Sequence, residues 1–307
     1  MTLEKIVIVT RKTRLEGLVE RFNSRAQAKF YLDHSGGDYA DYEREDATYR
    51  RAVDTVRRTV DVGLKVQVVE RGLVPTMMFT PQDAIVPVGQ DGLVANTAKY
   101  VGEQPIIAVN PDPGRFDGIL LRYQPAQVRS ALLSLLEGKA REREVTLAEA
   151  ELEDGQRLLA FNDLFIGART HVSARYKIGF RGAAEPQSSS GVLVSTGAGS
   201  TGWLSSVFAM AGAVAGFTGG KAGTAVKLAW EDPRLVFVVR EPYVSRHSRA
   251  GIAAGMIEAG GELILESQMP SGGVIFSDGV EADALDFNSG ARAHIRAAAR
   301  KTHLVVN

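Results

Sequence analysis

Two short runs of unbroken apolarity constrain this chain more than any other feature. Residues 5–10 read KIVIVT and residues 83–88 read DAIVPV. A strand with one wet face alternates apolar and polar residues, whereas a strand covered on both faces does not, so both runs predict inner strands of a parallel sheet flanked by helices. Between them, residues 14–32 carry apolar residues at helical spacing, residues 42–62 predict a second, highly charged helix, and residues 64–69 predict a further strand. Residues 106–110 predict a fourth. Strands alternating with helices give a parallel α/β sheet, whose ligands bind beyond the carboxyl ends of the strands. Two such ends run into GQDG (residues 89–92) and NPDPGR (residues 110–115).

The texture changes after about residue 125. A short helix at 127–136 precedes β-like runs at 144–152, 157–166, 174–180, 191–194, 235–239 and 262–266, separated by glycine-rich or charged turns. That pattern predicts a mostly antiparallel domain. The expected fold class is α/β plus β-rich: a Rossmann-like parallel α/β domain over residues 1–125, a β-rich domain over 126–290, and a segment over 291–307 that returns to the first domain. The length of 307 residues agrees with two domains at roughly 150 residues each.

Composition removes several function classes. There is no cysteine, hence no disulfide, thiolate metal site or cysteine nucleophile. Acidic and basic residues balance at 36 each, which gives no reason to expect nucleic acid as a partner. The five histidines (His34, His171, His247, His294, His303) lack metal-ligand spacing. The chain has no Walker loop, no GxGxxG after its first strand, no kinase HRD or DFG set and no GxSxG elbow. The amino-terminal residues do not read as a signal peptide, so the expectation is a cytoplasmic protein. Residues 188–220 carry no charge. Gly, Ser and Thr interrupt them too often for a membrane span of ~20 apolar residues, so they predict a buried loop followed by a buried helix.

Three segments hold the candidate chemistry. In the first, Gly89 and Gly92 permit positive φ and close backbone approach to a ligand, Gln90 lies between them, and Asp91 is a carboxylate able to activate a hydroxyl. A plain strand-to-helix turn with Asp91 as a cap explains the same residues. In the second, a short strand enters Ser195, Thr196, Gly197, Ala198, Gly199, Ser200 and Thr201 and then an apolar helix, which suits a phosphate cradle or, alternatively, a tight packing turn. In the third, Asn162 and Asp163 interrupt an apolar strand and need partners, either a ligand's ribose or base or a backbone bulge. Arg115, Arg240 and Arg246 are candidates for phosphate contact, but each taken singly is read as a surface ion-pair residue.

Together and in this order the three segments resemble the NAD kinase family, with its GGDG loop, Asn-Glu pair and Ser/Thr/Gly loop. The divergent mitochondrial-type branch is similar in further places: the turn at 109–113, the strand at 162–167, the loop at 196–200 followed by Trp203, the Arg-Glu-Pro at 240–242 and a weaker echo at 276–279. The resemblance implies transfer of the ATP γ-phosphoryl to the 2′-hydroxyl of the adenosine ribose of NAD. It implies Asp91 as the catalytic carboxylate, substrate contacts from Gly89, Gln90, Gly92, Asn110, Asn162, Asp163 and the 195–201 loop, Mg²⁺ brought with ATP, and a homo-oligomer, commonly a dimer. The chain departs from the family at Gln90, Leu93, Ala198 and Asp163, where glycine, a small hydroxyl residue, threonine and glutamate are usual. A kinase for a lipid or sugar hydroxyl, and a non-catalytic NAD(P)-binding protein, are the alternatives.

Overall fold

In the computed structural model, which describes residues 3–221 and 223–306, the first apolar run is the hub of a sheet. β1 (Lys5–Thr10) is followed by α1 (Arg14–Phe22), α2 (Arg25–Ser35) and α3 (Tyr39–Thr59). The single helix expected at 14–32 is in fact two. Asn23 turns left-handed at φ 62° and Ser24 caps α2 by accepting the Gln27 N–H, so the break is written in an Asn-Ser pair. Thr13 and Glu16 form a capping box that starts α1. β2 (Lys65–Glu70), β3 (Asp83–Pro87), α4 (Asp91–Ala98), β4 (Pro105–Ile106) and α5 (Val128–Leu136) complete the run.

β1 pairs in parallel with both β2 and β3, and the order is β2-β1-β3-β4. All five residues of β3 are buried, which accounts for its unbroken apolarity. The fourth strand is shorter than expected. Beyond Ile106 only single bridges remain, Val88 with Val109 and Val109 with Tyr123, because the chain turns there into the loop that begins at Asn110.

The chain divides into two compact units, Met1–Arg143 with His303–Asn307, and Glu144–Thr302. The division falls later than the expected 125/126. α5 belongs to the first unit, since its Val128, Ala131, Leu132 and Leu135 pack with Ile8, Val56, Val86 and Ile107. The returning segment is likewise shorter than residues 291–307: His303 and Leu304 pair in parallel with Pro105 and Ile106.

The chain continues with β5 (Arg141–Leu152), β6 (Arg157–Ala160), β7 (Asp163–Ala168), β8 (Ala174–Phe180), β9 (Ala183–Ser189), β10 (Val192–Ser195), α6 (Trp203–Phe217), β11 (Leu235–Val239), β12 (Ala254–Ile257), β13 (Leu263–Ser267), β14 (Gly273–Ser277), β15 (Val280–Asp286) and β16 (Arg292–Val306), all in the second unit except residues 141–143 of β5 and 303–306 of β16. One sheet has the order β12-β11-β10-β7-β14-β15 and is antiparallel throughout. β16, β13, β8 and β9 pair antiparallel in a second layer, with β5 and β6 beside them. Tyr176, Leu265 and Ile295 of one layer pack with Ile166, Phe237 and Ile275 of the other. The fold is thus a parallel α/β unit followed by an antiparallel β unit.

The charge-free stretch departs from expectation. Its loop is buried, but its helix is not. α6 rests on the sheet through Leu204, Val207 and Phe208 against Leu193, Val236 and Val238. Beyond Phe208 it leaves the sheet, and Met210, Val214 and Phe217 are 49, 57 and 91% exposed. By length and composition alone, the 19 residues Gly199–Phe217 are able to cross a bilayer.

Leu132, fully buried, tests the assignment of α5. Leu132→Ala is expected to destabilise the first unit by about 2–5 kcal/mol, read as a lower urea midpoint. A neutral effect would show that the helix is not part of that core.

Candidate functional site

The Asp91 turn sits at the carboxyl end of β3, and its geometry is set by packing. The Gly89 N–H donates to the Val109 carbonyl at 3.1 Å. A Cβ on Gly89 would lie 2.7 Å from Leu93 Cδ2, so a side chain there would have to displace the Leu93 side chain of the helix that follows. Neither Gly89 nor Gly92 has positive φ, contrary to expectation. Gln90 has φ −92° and an exposed side chain, so a side chain at this position strains nothing in the backbone.

Asp91 does not cap α4; it is the first helical residue. Its Oδ2 accepts the Ile119 N–H at 3.2 Å and its Oδ1 accepts the Leu120 N–H at 3.0 Å. The half-exposed carboxylate is therefore held in orientation by two consecutive amides of the Asn110 loop. Asn110 itself is buried. Its Nδ2 donates to the Phe116 carbonyl and its Oδ1 accepts the Asp112 N–H. Expected as a substrate contact, it instead spends both ends of its amide on shaping the loop that grips Asp91. Arg115 forms a two-pronged ion pair with Asp41, at 3.0 and 2.8 Å. With Arg14, it holds the Asp41 carboxyl far below the usual carboxylate range.

In the second unit one side chain organises everything near Asn162. The expected strand 157–166 is broken into β6 and β7, which lie in different sheets. At the break, the Asp278 carboxylate accepts the N–H groups of Phe161 (2.9 Å), Asn162 (2.6 Å) and Asp163 (3.3 Å). The Asp278 N–H donates in return to the Asp163 carbonyl at 3.0 Å. Asp278 and Gly279 both have positive φ, at 53° and 69°, and form the two-residue hairpin between β14 and β15. Aspartate followed by glycine is a known signature of that turn. The sequence therefore carried a signal for Asp278, recognised only as a weak echo.

The 195–201 loop is built on the same turn. Ser195 pairs with Asp163 in the β10–β7 ladder. The Thr196 N–H donates to the Asn162 carbonyl at 2.9 Å and its hydroxyl donates to the Phe161 carbonyl at 2.6 Å. Thr196 Oγ1 also accepts the Gly199 N–H, and the Ser200 hydroxyl donates to the Gly197 carbonyl. The glycines answer to protein backbone: a Cβ on Gly197 would lie 1.8 Å from the Ala229 carbonyl oxygen, and one on Gly199 would lie 2.3 Å from that of Asn162. Packing thus accounts for Thr196, Gly197, Gly199 and Ser200. What the loop turns outward is half-buried Ala198, exposed Thr201 and the start of α6. The half-exposed Asn162 faces outward too, whereas Asp163 is buried.

Asp163 is the unusual acid of the region. Its Oδ1 is buried without a hydrogen-bond partner. Burial first, then the Asp278 carboxylate, pushes its pKa up to about 7 against the opposing Ser195 hydroxyl. Close by, Phe165 stacks on Trp203 (5.7 Å between centroids, 11° between planes) and on Phe276. The Arg240 guanidinium lies 5.3 Å from the Trp203 centroid and 5.9 Å from that of Phe165. Arg240 therefore stacks on aromatic rings, where an ion pair was expected.

No protein-family model and no curated protein matches the chain. Solved structures do. The crystal structure of yeast NADH kinase complexed with NADH superposes with a TM-score of 0.58 at 15% identity, over 100% of this chain and 84% of that one. An NAD kinase from Archaeoglobus fulgidus in complex with ATP gives 0.56 at 16% identity, over 98% and 94%. At such identities the likeness establishes the fold, which is the one these NAD(H) kinases have.

Two substitutions separate packing glycines from free ones. Gly197→Ala is expected to cost at least about 1–3 kcal/mol, since backbone must move. Gly92→Ala, with nothing within 4 Å of the new Cβ, is expected to gain up to about 1 kcal/mol as a helix residue; thermal melts decide both. Asp163 makes stability depend on pH. Because its folded pKa lies above the unfolded value of 3.8, its contribution is most favourable below about 4, declines as pH rises to about 7, and is flat beyond. Asp163→Asn is expected to raise stability at pH 8 and to lose that advantage toward pH 4. Parallel stability–pH curves for the two proteins would contradict the assignment.

Proposed function

We propose that this protein is an NAD kinase that moves the γ-phosphoryl of ATP to the 2′-hydroxyl of the adenosine ribose of NAD, giving NADP. The observation that carries the reading is the joining of Asn162 to the Thr196 loop: Thr196 bonds through its N–H to the Asn162 carbonyl and through its hydroxyl to the Phe161 carbonyl, 35 residues away in sequence, so that two segments form one constellation. An outward amide beside the amino end of a 15-residue helix suits an adenosine carrying phosphate. The similar structures with NADH and with ATP agree in fold.

In this reading Asp91 is the general base. Each carboxylate oxygen that accepts one backbone N–H keeps a further lone pair, so the group can be oriented by Ile119 and Leu120 and still take a proton. The 2′-oxygen attacks the γ-phosphorus as its proton passes to Asp91. The new O–P bond forms, the bond to the bridging oxygen breaks, and ADP leaves with that electron pair. Phosphoryl transfer of this kind depends mainly on positioning and charge stabilisation. Among the described residues no cluster of three or more acidic or histidine side chains could hold a metal. Mg²⁺ fits as an ion bound chiefly by ATP oxygens and water, where it would neutralise phosphate charge. Asn162 and Thr201 orient the adenosine half, and Gln90 offers an amide toward phosphate.

Incubation of the purified protein with ATP, Mg²⁺ and NAD is expected to yield NADP. Asp91→Asn should lower kcat by about 10²–10⁴-fold while NAD still binds. Binding of NAD with no NADP from ATP, other triphosphates or polyphosphate would leave a non-catalytic binder. Phosphorylation of a lipid or sugar hydroxyl without NAD would assign another substrate.

A further inference from the structure

One unexplained feature of the first unit is an open cleft of about 460 Å³, beyond the ends of β1 and β2 and between α1 and α3. That is within the usual range for small-molecule sites, about 300–1,000 Å³. None of residues 89–92 lines it, so it is separate from the Asp91 turn. Its lining combines an apolar floor with a cationic side. Leu15 and Val19 of α1, Val53 of α3 and Val68 of β2 supply the floor. Val68 is 38% exposed on an edge strand, which is an apolar surface left to solvent.

The cations of the cleft are not equivalent. Lys12 is paired with Glu20, Arg50 with Glu16 and Asp46, and Arg25 with Asp46. Arg57, also in the lining, forms no ion pair or hydrogen bond among the described residues. Arg11 is bonded through its two terminal nitrogens, to the Lys12 carbonyl and to Glu45, and its guanidinium lies 4.9 Å from the Tyr49 centroid. Its Nε is buried and has no acceptor. A buried donor left unmade is costly, and this one lies in a side chain of the cleft wall. Glu16, Glu20 and Glu70 are occupied with Arg50, Lys12 and the Gly72 N–H. Asp54, one turn before Arg57, is the acid of the lining without a bonded partner.

We propose that this cleft is a binding site for a small amphipathic anion, a carboxylate on an acyl or aryl body. The carboxylate is received by the exposed Arg57 guanidinium, and the body covers Val19, Val53 and Val68. A planar guanidinium matches a carboxylate better than a lysine would. Asp54 opposes an anion and sets the sign of the test.

The full-length protein is titrated with decanoate, read by displacement of 8-anilinonaphthalene-1-sulfonate fluorescence, with decanol as the uncharged control. Decanoate is expected to bind saturably at one site and more tightly than decanol. Arg57→Ala should weaken it about tenfold, the scale of one charge-assisted contact, and Asp54→Asn should strengthen it a fewfold. Val53→Asp should abolish it with circular dichroism unchanged. All the substituted groups are on or near the surface, so the variants are expected to fold. Displacement that ignores Arg57→Ala, or that disappears instead with Phe217→Ser on exposed α6, would overturn the proposal, as would decanol binding as well as decanoate. Weaker binding of decanoate in Asp54→Asn would show that this acid does not oppose the anion and would overturn it too.

Discussion

The second unit depends on the Asp278 carboxylate. Three consecutive N–H groups point at it, from the residues where the chain leaves one sheet and joins another. Such a crossing must leave amides without ladder partners, and buried unpaired amides are expensive. An ionised carboxylate makes stronger bonds to them than a neutral acceptor does. The fixed turn then presents the carbonyls of Phe161 and Asn162, and those are what Thr196 binds. The chain of dependence runs from a hairpin tip to a strand break to the glycine loop. Asp163 bears the electrostatic consequence: itself the third of the bound amides, buried beside a carboxylate, it holds its proton toward neutral pH.

The first unit contains a similar arrangement. There the Asp91 carboxylate is the acceptor, and the loop closes on it. Asn110 folds the loop from inside, and Ile119 and Leu120 deliver two amides to Asp91. A further link reaches this turn from the helices. The Tyr49 hydroxyl donates to the Val88 carbonyl at 2.9 Å and accepts the Arg11 N–H at 2.8 Å. Burial pushes that phenol up to about 12, so it remains a donor at any ordinary pH. Orientation at Asp91 therefore comes from backbone groups whose positions are themselves fixed by side chains well outside the turn.

How much of this could be read from the sequence follows from the range of each interaction. The inner strands were legible because burial on two faces leaves a local mark, as in KIVIVT, and so was the order of parallel and antiparallel units. The break at Asn23–Ser24 was missed because an apolar period continues across it, although both caps are local. β9, reading AAEPQSS, was missed because its polar residues belong inside: Gln187 bonds Glu185 and the Ile252 carbonyl, and Ser189 bonds Tyr176. Residue types at the candidate site were legible, but the reasons for them were not. Gly197 and Gly199 look like donors of backbone to a ligand until Ala229 and Asn162, distant in sequence, are seen lying against them. The exposed half of α6 was read as buried because apolarity normally means burial, and here no part of the second unit covers it.

The short return of the carboxyl terminus has a consequence for the order of events during synthesis. β4 is held to β3 by one register pair, Ile85 with Ile106, and its other edge is completed by His303 and Leu304. Nearly two hundred residues must be translated between these partners. Until residues 303–304 are in place, the first unit carries an unpaired parallel edge next to its core, the kind of edge that recruits other chains. Contacts this far apart in sequence form slowly. Residues 303–304 therefore act late, as the piece that closes this edge of the first unit, and a chain lacking them would leave β4 open on that side.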